Sequence, residues 1–231
     1  MRISVFGANG GTGRVLVRQA VDSGHEVVAV TRRPDEFPFT HPRLTVAKAD
    51  VHDSQAVYRA IEGSAAVLSS LGVPFTSKPI TVYSQGVSAI IAAMSRLGVK
   101  RVAVVSSTTV EPHHHAEGGF MLNRIMQPLV SATIGKTTYA DMRTMEDILR
   151  RSDLDWTVVR SAGLFEAGHV SSYQVSDGQL DGVFTSREDL ADCLLAQVSV
   201  SRFVRKTIEV TTSEGAPTLW QMIRREAFKK S

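Results

Sequence analysis

The sequence predicts an α/β protein with a doubly wound, mostly parallel sheet and helices on both faces. Short apolar runs of strand character alternate with longer segments in which apolar residues recur at helical spacing. A glycine-rich turn joins the first run, Arg2–Phe6, to the first helical pattern, which ends at Gly24. The 231 residues fit one domain, residues 1–231, with a sizeable core and no internal repeat.

The glycine turn between residues 7 and 13 is typical of a phosphate-binding site. Glycine allows a sharp turn and a close approach of the backbone to a ligand. The free N–H groups and the partial positive charge at the start of the next helix would then face an anion. The alternative is a tight strand–helix turn without a ligand. The candidate cofactor-binding residues here are Gly7, Asn9, Gly10, Gly11, Thr12 and Gly13.

The glycine spacing, G-x-x-G-x-x-G, resembles that of the short-chain dehydrogenase/reductase superfamily. It is most similar to the atypical NmrA-like and NAD(P)H-binding proteins related to flavin/biliverdin reductase. The segment 152–160 also resembles the family phrase S-G-L-D-W-T-I-V-R-P, with Asp153 replacing the glycine and Ser161 the proline. The resemblance extends over nearly the whole chain. It implies one NAD(P)-binding Rossmann domain, with a small C-terminal substrate region.

The end of the second strand indicates which cofactor is preferred. Glu26–Thr31 is followed by Arg32 and Arg33, with no acidic residue at the strand end. An acid there would bind the ribose 2′-hydroxyl of NAD, whereas an arginine accommodates the 2′-phosphate of NADP. We therefore expect NADP (NADPH), bound by Arg32, with Arg33 in support or solvated.

Three further segments are cofactor-binding candidates because of the resemblance. The family has a G-D-x-x-D element after the third strand, where Asp50 and Val51 would lie against the adenine. The segment after the fourth strand would pass beneath the ribose and pyrophosphate, and the end of the fifth strand would line the nicotinamide. The corresponding residues are Ser70, Leu71, Gly72 and Ser106. Asp53 is expected to be the N-cap of a helix over 54–61.

The catalytic candidates are Ser107 and Tyr139. In short-chain dehydrogenases a serine polarises the reacting carbonyl, and Y-x-x-x-K on one helix supplies a tyrosine and a lysine on the same face. Here Arg143 replaces the lysine, and arginine has a different shape. Ser107 could instead only satisfy backbone groups at the strand end. Lys136, one turn earlier, could reach the cofactor or solvent.

The C-terminal half contains architectural residues. Glu146 matches an acidic position of the NmrA-like group and is expected to pair with Arg160. Ser186 is the expected N-cap of a helix whose first turn contains Asp189. The single cysteine, Cys193, is expected to be a buried, inert thiol in a reducing compartment. A last helix is expected over 219–228.

Charge and composition exclude several classes of partner. The net charge is only +3 without a long basic run, so nucleic-acid binding is not indicated. No signal peptide is recognisable and no apolar run reaches the roughly 18–20 residues that span a bilayer, so we expect a cytoplasmic protein without membrane contact. His113, His114 and His115 are adjacent and lack further ligands at metal spacing, so no metal is expected.

Two functions agree with this sequence. The first is an NADPH-dependent oxidoreductase that transfers hydride to a small or flat acceptor such as a flavin, quinone or carbonyl, with isomerisation or epimerisation as a lesser variant. The second is an NmrA-type redox sensor that binds NADP(H) without turnover. Both need the phosphate-binding turn, so the turn does not separate them. The expected partner is a small-molecule substrate, and the sequence leaves open whether the protein forms a homodimer.

Overall fold

The structure is a computed structural model that describes residues 1–74, 76, 78–112, 124, 135–218 and 221. The histidines at 113–115 lie outside the described residues, so the expectation that they bind no metal stays a prediction. Of the last helix expected over 219–228, only Gln221 is described, so that helix also stays a prediction.

The described residues form an eight-stranded sheet and a small two-stranded sheet. The large sheet has the order β3-β2-β1-β4-β5-β6-β10-β8, and all its neighbours are parallel except β10 and β8. The small sheet pairs β7 with β9 in parallel. The strands are β1 Arg2–Phe6, β2 Glu26–Thr31, β3 Leu44–Lys48, β4 Ala66–Ser69, β5 Arg101–Ser107, β6 Asp155–Ser161, β7 Gly163–Phe165, β8 Gln174–Ser176, β9 Phe184–Ser186 and β10 Lys206–Thr211.

Helices cover both faces of the large sheet, as the fold class predicts. Because successive side chains of a strand point to opposite faces, each central strand contributes to two cores. Val28 and Val30 belong to the core beneath α2, α3 and α4, whereas Val27 and Ala29 belong to the core beneath α1 and α5. The helices are α1 Gly11–Asp22, α2 Ser54–Ile61, α3 Val82–Leu97, α4 Lys136–Arg150 and α5 Arg187–Ala196. Among the described residues, two short 3₁₀ helices span Pro34–Glu36 and Thr108–Val110.

Local sequence signals agree with the helix ends. Asp53 caps α2 by accepting hydrogen bonds from the N–H groups of Gln55 and Ala56, both at 3.0 Å. The predicted cap of α5 is also confirmed, because the Ser186 hydroxyl accepts the Asp189 N–H at 3.0 Å. Gly98 ends α3 in the left-handed conformation, at φ 72°.

Other boundaries differ from what the sequence alone indicates. The apolar periodicity of residues 79–97 predicts a helix from Pro79, but α3 begins at Val82. A helix is likewise expected from Tyr139, but α4 begins three residues earlier, at Lys136. The polar segment 166–181, with its Gly and Ser residues, predicts a surface loop or a short hairpin, and it contains β8, which pairs with β10. Three-residue strands such as β7, β8 and β9 leave too little periodicity to be recognised. They are formed through partners far along the chain.

Candidate functional site

The candidate site lies at the carboxyl edge of the sheet, where the strand order reverses. Phe6 at the end of β1 is paired with Ser69 at the end of β4, and β2 lies on the other side of β1. In open α/β sheets, ligands bind in the crevice outside this reversal point. The glycine turn, the segment after β4 and the end of β5 all border that crevice.

Two glycines of the turn are required for packing. Gly7 has φ 73°, and a Cβ there would stand 2.6 Å from the carbonyl oxygen of Ser70. A Cβ at Gly13 would stand 2.1 Å from the carbonyl oxygen of Gly7. Neither contact can be tolerated, so a side chain at Gly7 would push the turn away from the segment after β4, and one at Gly13 would push α1 away from the turn.

The start of α1 fits the pyrophosphate of a dinucleotide. Gly10 is the N-cap and provides no side-chain hydrogen bond, and the first turn has no acidic residue. The first N–H groups of a helix have no partner within it, and here no side chain caps them. A Cβ at Gly10 would meet only the Gly7 carbonyl oxygen, at 3.3 Å. The helix start is therefore left open to an anion, which a tight turn serving packing alone would not require.

Two predicted side chains of the turn lie beside guanidinium groups. The Asn9 Oδ1 accepts a hydrogen bond from Arg14 Nε at 2.9 Å. The buried Thr12 hydroxyl accepts one from Arg187 Nη1 at 3.1 Å. Arg187 was not predicted to belong to the site. Its position directly after the N-cap of α5 indicates a helix start and nothing more, and its contact with Thr12 joins residues 175 positions apart.

Arg32 and Arg33 have different surroundings at the end of β2. Arg33 pairs with Glu36 at 3.0 Å, with a side chain that is 70% exposed. Arg32 has no ion-pair partner among the described residues, and its charge reaches Asp50. Of the two guanidinium groups, that of Arg32 is thus the one available to a ligand.

Asp50 and Val51 border the crevice in different ways. The Asp50 carboxylate accepts the His52 N–H at 3.0 Å and contacts His52 Nδ1 at 2.7 Å. These two contacts hold the pKa of Asp50 below its ordinary value, with a smaller contribution from Arg32. Val51 is buried and packs with Leu71 against Gly86 of α3, where a Cβ would stand 3.0 Å from Leu71 Cδ1.

Gly86 was not among the residues predicted from the sequence to belong to the site. A glycine inside a helical pattern was the available signal, since it often marks close packing. It allows α3 to approach the floor of the crevice.

The segment after β4 follows the glycine turn closely. The Ser70 hydroxyl donates to the Phe6 carbonyl oxygen at 3.2 Å, which links the ends of β4 and β1. A Cβ at Gly72 would meet nothing within 4 Å, so this part of the segment faces open space. Cofactor contacts by Ser70, Leu71 and Gly72 remain predictions that agree with this placement.

Ser106 and Ser107 at the end of β5 have distinct partners. Ser106 is 1% exposed and donates to Glu146 Oε1 at 2.7 Å. A nicotinamide contact of this hydroxyl stays a prediction, although its hydrogen is already used by Glu146. Ser107 shares a side-chain hydrogen bond with Tyr139 and accepts the Thr109 N–H at 3.2 Å. The two catalytic candidates therefore lie in direct contact.

The Tyr139 hydroxyl is in a mostly buried environment. Burial raises its pKa, while hydrogen bonds from Thr109 and Ser107 oppose that shift without cancelling it. Arg143 is not among the groups that shift this pKa, and its Nη2 donates to the Val110 carbonyl oxygen at 2.6 Å.

A buried ionic network supports the end of β5 from behind. Glu146, fully buried, accepts hydrogen bonds from Arg160 Nη2 at 2.8 Å and from Arg150 Nη2 at 2.7 Å. Arg160 Nη1 also donates to Glu111 at 2.8 Å. The predicted pairing of Glu146 with Arg160 is confirmed, and Ser106 belongs to the same network.

Residues 7–200 match the model of a family described as NAD(P)H-binding. The chain belongs to this NAD(P)H-binding family. The open start of α1 is consistent with that membership, because the family's cofactor carries a pyrophosphate.

Among curated proteins, the chain is similar to an uncharacterized protein of Mycobacterium tuberculosis. The two are 34% identical over 108 residues, which is 46% of this chain but only 12% of that protein. The chain therefore spans a small part of the length of this relative, and the similarity does not extend to the whole protein.

Solved structures agree with the fold of the family. A short-chain dehydrogenase/reductase of Veillonella parvula in complex with NADP has a TM-score of 0.77 at 17% identity, covering 94% of this chain and 99% of that one. The anaerobillin reductase of Escherichia coli O157:H7 has a TM-score of 0.71 at 18% identity, covering 94% and 100%. At such low identity the likeness concerns the fold alone.

In the part of the chain that the structure describes, no group of three or more His, Cys, Asp or Glu side chains could hold a metal ion. None of the helices described is long and apolar enough to cross a membrane. The predicted burial of Cys193 is confirmed, and burial raises the pKa of its thiol to about 12, which agrees with an inert thiol.

Proposed function

We propose that the protein is an NADPH-dependent reductase that transfers hydride to a small or flat acceptor, such as a carbonyl compound, a flavin or a quinone. The observation that carries this proposal is the contact between Tyr139 and Ser107 at the end of β5, two strands along the sheet from β1, which leads into the open start of α1. Bound NADPH would supply the hydride. The protein would bind the dinucleotide, orient the acceptor and deliver the proton.

The raised pKa of Tyr139 favours reduction over oxidation. A phenol whose pKa lies above its ordinary value of 10.0 is protonated at neutral pH. It can donate a proton to the oxygen of a carbonyl as hydride adds to the carbon and the C=O π bond breaks. It is a poor base for removing a proton from an alcohol, since burial disfavours its anion. Ser107 would position the same oxygen.

NADP rather than NAD is the cofactor that the end of β2 favours. The Arg32 guanidinium is without an ion-pair partner among the residues described, and no acid stands there to bind a ribose 2′-hydroxyl. A guanidinium offers a planar set of donors that suits a phosphate. The complex of the Veillonella parvula protein with NADP agrees with this preference.

The test is a titration of the purified protein with NADPH and NADH, followed by oxidation of bound NADPH in the presence of aldehydes, flavins and quinones. We expect tight NADPH binding and oxidation that depends on one class of acceptor. Binding without turnover across the whole panel would contradict the reductase.

The role of Tyr139 can be tested within the same assay. Tyr139→Phe should lower kcat/KM for carbonyl acceptors by about 10²–10⁴-fold, the usual contribution of a positioned acid, and leave NADPH affinity unchanged. Tyr173→Phe is the matched control, because that hydroxyl donates to Asp192 of α5 rather than bonding to Ser107 or Thr109. Unchanged carbonyl reduction by Tyr139→Phe would remove Tyr139 from the mechanism.

A redox sensor that binds NADP(H) without turnover is the second candidate. The Arg143 side chain favours this sensor. Arg143 stands where a short-chain dehydrogenase has the lysine that assists its tyrosine, and it donates to the Val110 carbonyl oxygen. The sensor predicts cofactor binding equal to that of the reductase, but no acceptor-dependent oxidation.

A further inference from the structure

The side chain of Arg187 lies over the glycine turn. Arg187 is the first residue of α5, and its Nη1 donates to the Thr12 hydroxyl at 3.1 Å. A Cβ built on Gly11 would stand 3.0 Å from the guanidinium carbon. The absence of a side chain at Gly11 thus makes room for a cation directly beside the first turn of α1.

This arrangement places a positive group at the positive end of a helix. A helix start has a partial charge of roughly +0.5, and the first turn of α1 has no acidic residue to offset it. Arg187 does pair with Glu166, but at 3.9 Å and with a carboxylate that is 81% exposed. An ion pair so open to solvent contributes little. Two positive groups that meet in this way favour binding of an anion between them.

The position of Arg187 is fixed by its neighbours. The preceding residue, Ser186, is fully buried, caps α5 and donates its own N–H to the Thr212 hydroxyl at 3.0 Å. Two turns further along α1, Gln19 Nε2 donates to the Glu188 carbonyl oxygen at 3.0 Å, so α5 is attached to α1. A side chain held on two packed helices is well placed to bind a ligand with little reorganisation.

We propose that Arg187 is a second anchor for the cofactor pyrophosphate, opposite the N–H groups at the start of α1. The Thr12 hydroxyl is a neutral acceptor, whereas a phosphate oxygen is charged and binds a guanidinium more strongly. The C-terminal half of the chain would in this way hold the cofactor that the N-terminal half binds. The inference rests on dinucleotide binding in the proposed function and not on turnover.

The experiment compares nucleotides that contain or lack a pyrophosphate. Arg187→Gln removes the charge and Arg187→Lys keeps it without the planar set of donors. Arg18→Gln is the matched control, because it removes an exposed arginine of α1 that stacks on Phe39, beyond the first turn. Dissociation constants are measured by calorimetry for NADPH, NADH, ADP-ribose and adenosine 2′-monophosphate.

We expect Arg187→Gln to weaken binding of NADPH, NADH and ADP-ribose by a similar factor, roughly ten- to a hundredfold for a lost charged hydrogen bond. Arg187→Lys should lose less affinity for these three nucleotides, and Arg18→Gln should bind them as tightly as the wild type. Adenosine 2′-monophosphate, which has no pyrophosphate, should be unaffected by either Arg187 variant.

An unchanged ADP-ribose affinity in Arg187→Gln would overturn the inference. So would an equal loss for adenosine 2′-monophosphate, since that would mean a general disturbance of the site. Absence of turnover by the wild type would count against the reductase and would not alter this binding result.

Discussion

The two adjacent arginines after β2 have different surroundings. Arg33 is paired with Glu36 three residues later, in the short helix that Pro34 begins. Arg32 has no such partner among the described residues, and its charge acts on Asp50 across the ends of β2 and β3. The choice between the two as a phosphate ligand therefore depends on one local ion pair.

We predict that Arg32→Asp weakens NADPH binding by about ten- to a hundredfold, because a charge-assisted hydrogen bond to the 2′-phosphate is lost and a like charge is introduced. NADH, which has no 2′-phosphate, should be affected far less. Fluorescence titration with both nucleotides checks this.

Arg33→Asp is the matched control and should change the ratio of the two affinities little. Equal losses of NADPH and NADH in Arg32→Asp, or no loss at all, would contradict the assignment of Arg32.

At the level of elements, α3 is capped by a residue of another helix. Its own N-cap, Thr81, makes no side-chain cap hydrogen bond. Instead, the Asp141 carboxylate of α4 accepts the N–H groups of Tyr83 at 2.9 Å and Ser84 at 3.3 Å, and the Ser84 hydroxyl as well. This cap joins the two helices that pack beside the crevice, and α4 is the helix that positions Tyr139.

Asp141→Ala should lower the free energy of unfolding by about 1–3 kcal/mol, because it leaves half-buried N–H groups of α3 without an acceptor. Asp141→Asn retains an acceptor oxygen, so its free energy of unfolding should fall by less. Urea unfolding at neutral pH measures both.

Asp53→Ala removes a surface cap of α2 and provides the comparison, with an expected loss of about 1 kcal/mol. If Asp141→Ala were as stable as the wild type, the cap between helices would contribute nothing to stability.

For the molecule as a whole, Asp189 joins three distant segments. It is fully buried, and its carboxylate accepts the Ser171 N–H at 2.7 Å and the Thr212 hydroxyl at 2.5 Å. Burial by itself would raise its pKa, but the hydrogen bonds from Thr212, Ser171 and Ser186 outweigh it and the pKa is lowered. The loop after β7, the start of α5 and the end of β10 are thus held by one carboxylate.

This group should make stability depend on pH in the acid range. A lowered pKa means that the folded protein binds the Asp189 proton less tightly than the unfolded chain does. Its contribution is therefore complete above the ordinary value of 3.8 and is lost as the pH falls through the lower folded value. Asp189→Asn should be less stable than the wild type at pH 7, and the difference should shrink on acidification.

Denaturant unfolding at a series of pH values from neutral to acid tests this prediction. Asp22→Asn, which changes an exposed carboxylate of α1, is the control and should track the wild type. The prediction would be contradicted if the difference in the free energy of unfolding between Asp189→Asn and the wild type stayed constant with pH.

The order of strands and helices and the identity of the glycine turn follow from the sequence. Apolar periodicity, the glycine pattern and the caps at Asp53 and Ser186 are local, so each is encoded within a few neighbouring residues. The same holds for the two arginines after β2, because a strand end is recognisable from the strand itself. Even the pairing of Glu146 with Arg160 could be expected, since the two lie on successive elements.

Contacts between segments far apart in the chain were decided by the tertiary structure alone. Arg187 lies beside Thr12 across 175 residues, and Asp141 caps α3 across 58. The short strands β7, β8 and β9 likewise depend on their partners. Side-chain geometry of this kind follows from how the helices pack on the sheet, and no local pattern contains that information. The sequence alone therefore indicates where a dinucleotide would bind, whereas the packing of α5 on α1 brings the Arg187 guanidinium to the place where its pyrophosphate would lie.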